Sequence, residues 1–181
     1  MHKAILSIGV ALSLAGVQAA VEADKFTQLP GFDVPMRTNS YSGYLTVDTN
    51  KSLHYVFVES KNDPSKDPVV IWFNGGPGCS SLLGLFQENG PMVVDPELNP
   101  THQENEYAWY NTANMLYIES PAGVGYSLNK NENLTTDDIT QSRDAMTALL
   151  DFYIKFPEMM ANELFVSGES YGGIYVPYLA W

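Results

Sequence analysis

The stretch Gly168–Gly172, which reads Gly-Glu-Ser-Tyr-Gly, constrains the fold of this chain more than any other. It follows the apolar run Leu164–Val166, which predicts a buried strand, and the segment Tyr171–Trp181 can form a helix. Ser170 would then lie on a sharp strand-to-helix turn, the geometry of a nucleophile elbow, which exposes the serine oxygen. Glycines on both sides suit such a turn because the backbone is tight there. The same five residues also fit an ordinary glycine-rich turn, so the rest of the chain has to decide.

Two more glycine-rich loops follow apolar runs. Val69–Phe73, a continuous apolar run typical of a strand buried on both faces, leads into Asn74–Ser81. Met115–Ile118 leads in the same way into Ser120–Tyr126. Closely spaced glycines let backbone N–H groups point into a cleft and bind an anion or an oxyanion. A tight structural turn is the alternative, whereas the Walker and dinucleotide-binding glycine patterns are absent.

The other segments predict strands alternating with helices. Alternating apolar residues indicate a hairpin of Tyr41–Val47 and Ser52–Glu59, and 82–87 can form a short helix. Thr136–Phe156 predicts an amphipathic helix, capped at Thr135 or Thr136 with the acids that follow. Its apolar residues at helical spacing are Ile139, Met146, Leu149, Leu150, Tyr153 and Phe156. This order of elements favours an α/β sheet.

The amino-terminal residues are typical of a secretory signal peptide. Lys3 precedes the apolar run Ala4–Val17, and small residues follow, so we expect residues 1–19 to be cleaved off after Ala19 and 20–181 to form the mature domain. An uncleaved anchor is the alternative. No later segment has the roughly 20 apolar residues of a membrane span, so we expect no membrane association after cleavage. Asn50 and Asn133 begin glycosylation sequons that matter only on the secretory route.

Charge and cysteine content narrow the function classes. The formal net charge of −12 argues against nucleic-acid binding, which needs a basic surface. The sequence has one cysteine, Cys79, which is odd for a secreted protein and indicates either a missing disulfide partner or a small core residue. We expect no metal and no cofactor.

Three long motifs resemble one protein family, the serine carboxypeptidases, and within it the cathepsin A-like group. They are Trp72–Ser81, Glu119–Ser127 and Gly168–Pro177, in the family's order, and Leu29–Gly31 and Tyr41–Leu45 resemble the start of a mature member. The likeness extends from about Ala23 to the last residue. It implies an α/β-hydrolase fold, here stopping just after the nucleophile elbow, and release of C-terminal residues from peptides or proteins through an acyl-enzyme.

The resemblance also implies roles for individual residues. Ser170 matches the family nucleophile, and the backbone N–H groups of Gly76 and Tyr171 match the oxyanion hole. Such a donor contributes about 3–4 kcal/mol to stabilising the tetrahedral intermediate.

A second group of residues matches the family's binding site for the free substrate carboxylate. These residues are Trp72, Asn74, Gly75, Glu88 and Glu169. Two acids facing a third carboxylate repel it unless protons are shared, so we expect activity at acidic pH. Solvated surface acids are the alternative interpretation of the two glutamates.

The sequence lacks a base for this serine. In α/β-hydrolases the Asp or Glu and the His follow the nucleophile, whereas His2, His54 and His102 all precede Ser170. We expect His54 to be a surface residue of the hairpin and His102 to lie in a polar loop. The resemblance places the triad partners, and the disulfide partner of Cys79, downstream of this sequence. We therefore interpret the chain as the N-terminal portion of a carboxypeptidase and expect it to be inactive alone.

Two other functions stay open. A carboxypeptidase-like acyltransferase would pass the same acyl group to an alcohol, and a truncated binding or decoy protein would need no base. For the full-length protein we expect a lysosomal, vacuolar or extracellular location, peptide C-termini as partners, and a homodimer.

Overall fold

The computed structural model describes residues 21–95, 97, 99–131 and 134–181, without the side chains of 101–103. The predicted signal peptide at residues 1–19 and the sequon asparagine Asn133 lie outside the described residues. The other sequon asparagine, Asn50, is exposed on the turn of a hairpin. In that turn the Asp48 carboxylate accepts hydrogen bonds from the N–H groups of Asn50 and Lys51 at 2.7 and 2.8 Å.

A mixed seven-stranded sheet forms the centre of the described chain. The strands are β1 Lys25–Phe26, β2 Ser40–Thr46, β3 Lys51–Val58, β4 Val69–Phe73, β5 Met92–Val94, β6 Pro100–Glu104, β7 Asn114–Ile118, β8 Leu128–Asn129 and β9 Leu164–Gly168. The order in the sheet is β1-β2-β3-β7-β4-β9, with β8 beside β3. Strands β7, β4 and β9 are mutually parallel, and the other pairings are antiparallel. A separate antiparallel pair consists of β5 and β6.

Helices complete the structure. They include α1 Asp138–Lys155, α2 Gly172–Ala180, a π-helix Gly84–Glu88 and two 3-10 helices, Trp109–Asn111 and Pro157–Ala161. The predicted central strands, hairpin and helices are confirmed within one or two residues. The predicted loop position of His102 is wrong, because this residue lies in β6.

Two hydrophobic cores lie on opposite faces of the sheet because successive side chains of a strand point to opposite sides. Ile71 and Phe73 of β4 belong to the core that includes Phe152 of α1, whereas Trp72 belongs to the other core with Leu85 of the π-helix. All five residues of β4 are buried, as its continuous apolar run predicted. The carboxyl end of β4 is thereby held between two packed layers.

Helix α1 packs differently from the prediction. Its buried face includes Ala145, Ala148, Leu149 and Phe152, so small residues bring the helix close to the sheet. Other apolar residues of the predicted set are more than two-fifths exposed: Ile139, Met146 and Leu150. The predicted set was therefore wrong in part, because it mixed two faces of the helix. The cap is Asp137, whose side chain accepts a hydrogen bond from Thr140 N at 2.7 Å, and not Thr135 or Thr136.

Strand β9 is the other departure. The sequence predicted a buried strand, but Leu164 and Phe165 are 39% and 53% exposed. The reason is position: β9 pairs with β4 on one side and is the last strand of the described sheet. Among the described residues, no helix is long and apolar enough to span a membrane.

Candidate active site

The turn after β9 is a strained one. Ser170 has a φ of +54°, a left-handed value that among the described residues no other non-glycine residue adopts. Glycines flank it because a Cβ on Gly168 or Gly172 would come within 2.6 or 2.9 Å of the carbonyl oxygen of Phe73 in β4. Glu169 N donates to the same oxygen at 3.2 Å. The turn therefore presses against the end of β4 and leaves Ser170 exposed ahead of helix α2. This is the geometry predicted for a nucleophile elbow.

The loop Gly75–Ser81 lies directly against this elbow. A Cβ on Gly75 would be 2.4 Å from Tyr171 N and 2.8 Å from Ser170 Cβ, so no other residue fits there without movement. Gly76 and Gly78 have φ values of +107° and +86°, which favour glycine. The loop is fixed by Cys79 N donating to Gly75 O at 3.0 Å and by Gly78 N donating to the Tyr175 hydroxyl oxygen of α2 at 3.2 Å.

Backbone N–H groups beside the elbow have no hydrogen-bond partner among the residues that the structure describes. Within the described part of the chain, the N–H groups of Gly75, Gly76 and Tyr171 donate no hydrogen bond, and the Ser170 hydroxyl makes none. Unpaired donors next to an exposed serine oxygen are the arrangement that an oxyanion requires. The structure therefore brings together the sequence-predicted nucleophile and both predicted oxyanion donors.

Asn74 lies at the centre of the residues that the sequence predicted to bind the substrate carboxylate. Its amide oxygen accepts hydrogen bonds from Trp72 Nε1 at 2.9 Å and Gly84 N at 2.8 Å, which fixes the orientation of the amide because both partners are donors. Its Nδ2 then donates to Glu88 Oε1 at 2.7 Å and to Glu169 Oε1 at 3.2 Å. Asn74 is 1% exposed, whereas both glutamates are exposed. Two carboxylates from distant parts of the chain thus meet over one amide group.

Trp72 contributes indirectly. Its indole N–H is used on Asn74, and its ring lies edge-on to Trp109 at 5.3 Å between centroids. The sequence predicted Trp72 beside the substrate carboxylate; the structure shows it orienting Asn74.

His54 is not the surface residue that the sequence predicted. It is 8% exposed, its Nδ1 lies 3.0 Å from Glu119 Oε2, and its Nε2 lies 3.0 Å from Ser42 Oγ. The side chains of Tyr44 and Tyr126 lie edge-on to its ring. It is therefore committed to an internal network. The prediction overlooked this because the buried acid that pairs with it lies 65 residues away in sequence.

Cys79 is a free, exposed thiol on the loop between β4 and the π-helix. The interpretation of this residue as a small core residue is therefore wrong. Among the described residues, no cluster of three or more His, Cys, Asp or Glu side chains could hold a metal ion.

Comparison with known sequences adds a family to this geometry. A family model described as serine carboxypeptidase matches residues 30–181. The lysosomal protective protein of Mus musculus is 49% identical over 163 residues, covering 90% of this chain and 34% of that protein. Serine carboxypeptidase ctsa-4.1 of Caenorhabditis elegans is 50% identical over 162 residues, covering 90% and 34%. The chain thus spans about a third of the length of the curated relatives it matches.

Solved structures agree on the fold. The crystal structure of Kex1(delta)p, a prohormone-processing carboxypeptidase from Saccharomyces cerevisiae, superposes with a TM-score of 0.75 at 25% identity, covering 88% of this chain and 38% of that one. Acetyl xylan esterase 1 from Thermoanaerobacterium sp. superposes with a TM-score of 0.53 at 14% identity, covering 94% and 53%. The predicted α/β-hydrolase fold is confirmed.

Proposed function

Since the chain belongs to the serine carboxypeptidase family, we propose that the full-length protein releases C-terminal residues from peptides through an acyl-enzyme. The observation that carries this proposal is the close approach of Gly75 to the strained Ser170 turn, beside N–H groups that have no hydrogen-bond partner among the described residues. Ser170 Oγ attacks the last peptide carbonyl. The N–H groups of Gly76 and Tyr171 then stabilise the oxyanion, and the C-terminal amino acid leaves. Water hydrolyses the resulting ester.

The hydrogen bonds from the Asn74 amide to Glu88 and Glu169 support specificity for a substrate with a free C-terminal carboxylate. We propose that the substrate carboxylate binds to the N–H of Gly75 and to Asn74, beside Glu88 and Glu169. Three carboxyl groups in one place repel one another unless they share protons, which favours binding at acidic pH. An amide at the substrate C-terminus has no carboxylate oxygen that could share a proton with Glu88 or Glu169.

Proton transfer needs a base that the described residues do not provide to Ser170. The described histidine side chain, that of His54, is engaged by Glu119 and Ser42. We propose that the base belongs to a part of the full-length protein outside this chain, so that the chain alone does not turn over peptides. The exposed sequon asparagine Asn50 and the similarity to a lysosomal protective protein support a route through the secretory pathway to a lysosome or vacuole.

The test uses the longest natural form of the protein, secreted from a eukaryotic host. We expect release of the last residue from an N-blocked dipeptide with a free carboxylate, and at least a hundredfold lower kcat/KM on the same dipeptide amide. Ser170→Ala should reduce kcat by at least a thousandfold without loss of fold. Transfer from an acyl-glucose to an alcohol, without peptide hydrolysis, would instead identify an acyltransferase. A stably folded wild-type protein that does neither would contradict an enzymatic function.

A further inference from the structure

A buried carboxylate, that of Glu119, contacts the loop Gly75–Ser81, which is called the oxyanion loop below. Glu119 directly follows β7 and is fully buried. One carboxylate oxygen, Oε2, accepts hydrogen bonds from Tyr126 N at 2.8 Å and from His54 Nδ1 at 3.0 Å. The other, Oε1, accepts one from the hydroxyl of Ser80. This one side chain thus joins strand β3, the loop after β7 and the loop after β4.

The surroundings of Glu119 keep it ionised. Burial alone opposes ionisation, but the hydrogen bonds from His54, Ser80 and Tyr126 outweigh burial and hold the pKa of Glu119 below its usual value. The backbone of Gly125 also packs against the carboxylate, because a Cβ there would lie 1.8 Å from Oε1. A buried charge with this many donors is a fixed electrostatic anchor, since moving any donor away leaves it poorly solvated.

Ser80 links the Glu119 carboxylate to the oxyanion loop. Its hydroxyl donates to Glu119 and accepts a hydrogen bond from Leu82 N at 3.1 Å, so its proton and one of its two lone pairs are used. It immediately follows the turn that Cys79 N closes onto Gly75 O. The start of the loop is held by Asn74, and its middle by Tyr175. The Ser81 hydroxyl oxygen also accepts a hydrogen bond from Asn74 N at 3.3 Å, but this bond joins the loop to its own start. Without the contact between Ser80 and Glu119, the carboxyl end of the loop would lose its side-chain attachment to the loop after β7.

We propose that Glu119, acting through Ser80, is a positioning residue of the oxyanion hole that holds the N–H of Gly76 in line with the Ser170 elbow. The inference rests on the proposed function. Among the residues that the structure describes, the N–H of Gly76 has no partner that would orient it before substrate arrives, so its direction depends on how the loop is held at both ends. A fixed loop therefore stabilises the transition state, in which the N–H must already point at the developing oxyanion. It contributes less to binding of the substrate in the ground state.

The chain offers a matched control for Ser80. The Ser60 hydroxyl also donates to a carboxylate, Asp67 Oδ2 at 2.5 Å, and also accepts from the N–H two residues on, Asn62 N at 3.2 Å. It lies at the other end of the sheet, because Asp67 precedes β4 whereas Ser80 follows it. Ser80→Ala and Ser60→Ala therefore remove the same type of contact at opposite edges.

The experiment measures kcat and KM on the blocked dipeptide with the longest natural form of the protein. For Ser80→Ala we expect kcat to fall about 10- to 100-fold with KM within about threefold of wild type, since misplacing one donor affects the transition state more than the ground state. A peptide aldehyde, which forms a tetrahedral adduct, should lose affinity in parallel with kcat. Ser60→Ala should keep wild-type kcat, and Ser80→Thr, which retains the hydroxyl, should restore most of the rate.

A second measurement does not depend on catalysis. Amide hydrogen exchange of the N–H groups of Gly78 and Cys79 should accelerate in Ser80→Ala and not in Ser60→Ala. An active wild type in which Ser80→Ala retains its kcat would overturn the inference and leave the proposed function intact. An inactive wild type would overturn the proposed function, and hydrogen exchange would then decide the inference: equal exchange in both variants would contradict it.

Discussion

The two ends of the parallel strands use the same kinds of side chain in opposite ways. At the amino-terminal edge, buried Asn114 accepts a hydrogen bond from Ser60 N at 2.9 Å and donates to Asp67 O at 2.8 Å and Pro64 O at 3.1 Å. At the carboxyl-terminal edge, buried Asn74 holds Trp72 and Gly84 but directs its NH2 group at two exposed acids.

The difference lies in what is left unpaired. At the amino-terminal edge, the Asp67 carboxylate accepts from Ser60, Asn62 and Asp63 N, so the loop there is closed upon itself. At the other edge, the N–H groups of Gly75, Gly76 and Tyr171 donate to nothing within the described residues. A closed network stabilises a fold, whereas unpaired donors and a strained Ser170 reduce stability and are available to a ligand. The same sheet thus has one edge whose polar groups are paired with one another and one edge whose N–H groups have no partner among the described residues.

The largest expected effect concerns Gly75. Gly75→Ala places a methyl group 2.4 Å from Tyr171 N, so either the loop or the elbow must move. We expect a loss of about 10²- to 10³-fold in kcat/KM for the full-length protein, comparable with loss of an oxyanion donor. The control is Gly173→Ala, where a Cβ meets nothing within 4 Å. Equal activities of these two variants would show that close approach at the elbow is unimportant.

The second largest effect is expected when the two buried asparagines, Asn74 and Asn114, are each replaced and the variants are compared. Asn74→Ala and Asn114→Ala should each destabilise the protein by about 1–3 kcal/mol, because each leaves buried partners unpaired. Only Asn74→Ala should also narrow the preference for a free carboxylate over an amide substrate, by about tenfold or more. Urea unfolding and kcat/KM on the two dipeptides measure the two effects separately. A similar change of preference in Asn114→Ala would remove the distinction between the edges.

The smallest effect concerns pH. The pKa of Glu119 is held below its usual 4.5, and that of Asp67 below 3.8, by the hydrogen bonds they accept. A carboxyl group with a lowered folded-state pKa stabilises the protein above its unfolded-state pKa and loses that contribution as the pH falls through the folded-state value. The free energy of unfolding should therefore decline as the pH falls below the usual glutamate pKa of 4.5, and less steeply in Glu119→Gln.

Asp67→Asn provides the comparison for this pH effect. It should flatten the same decline by less, because water screens the half-buried Asp67 carboxylate more than the fully buried Glu119. Urea unfolding across this pH range measures the slopes. Identical slopes in wild type and Glu119→Gln would show that Glu119 does not carry the effect.

Local patterns in the sequence were enough to predict the central strands, the helices and the nucleophile elbow at Ser170. Val69–Phe73 had to be a doubly buried strand because all five residues are apolar, and the glycines around Ser170 are demanded by backbone geometry within five residues. Signals of this kind are local, so a linear sequence carries them. The resemblance to a family supplied the pairing of Asn74 with Glu88 and Glu169, which is not local.

Which residues are buried, and which side chains contact each other across the sheet, became visible in the tertiary structure alone. The sequence predicted that Leu164 and Phe165 are core residues, but they are exposed on the last strand of the described sheet. It predicted His54 to be a surface residue, but His54 is buried and paired with the buried Glu119. Burial depends on which elements pack on each face, and the pairing of His54 with Glu119 depends on strand order. Neither quantity is a property of a short stretch of sequence, because both arise from contacts between residues far apart in the chain.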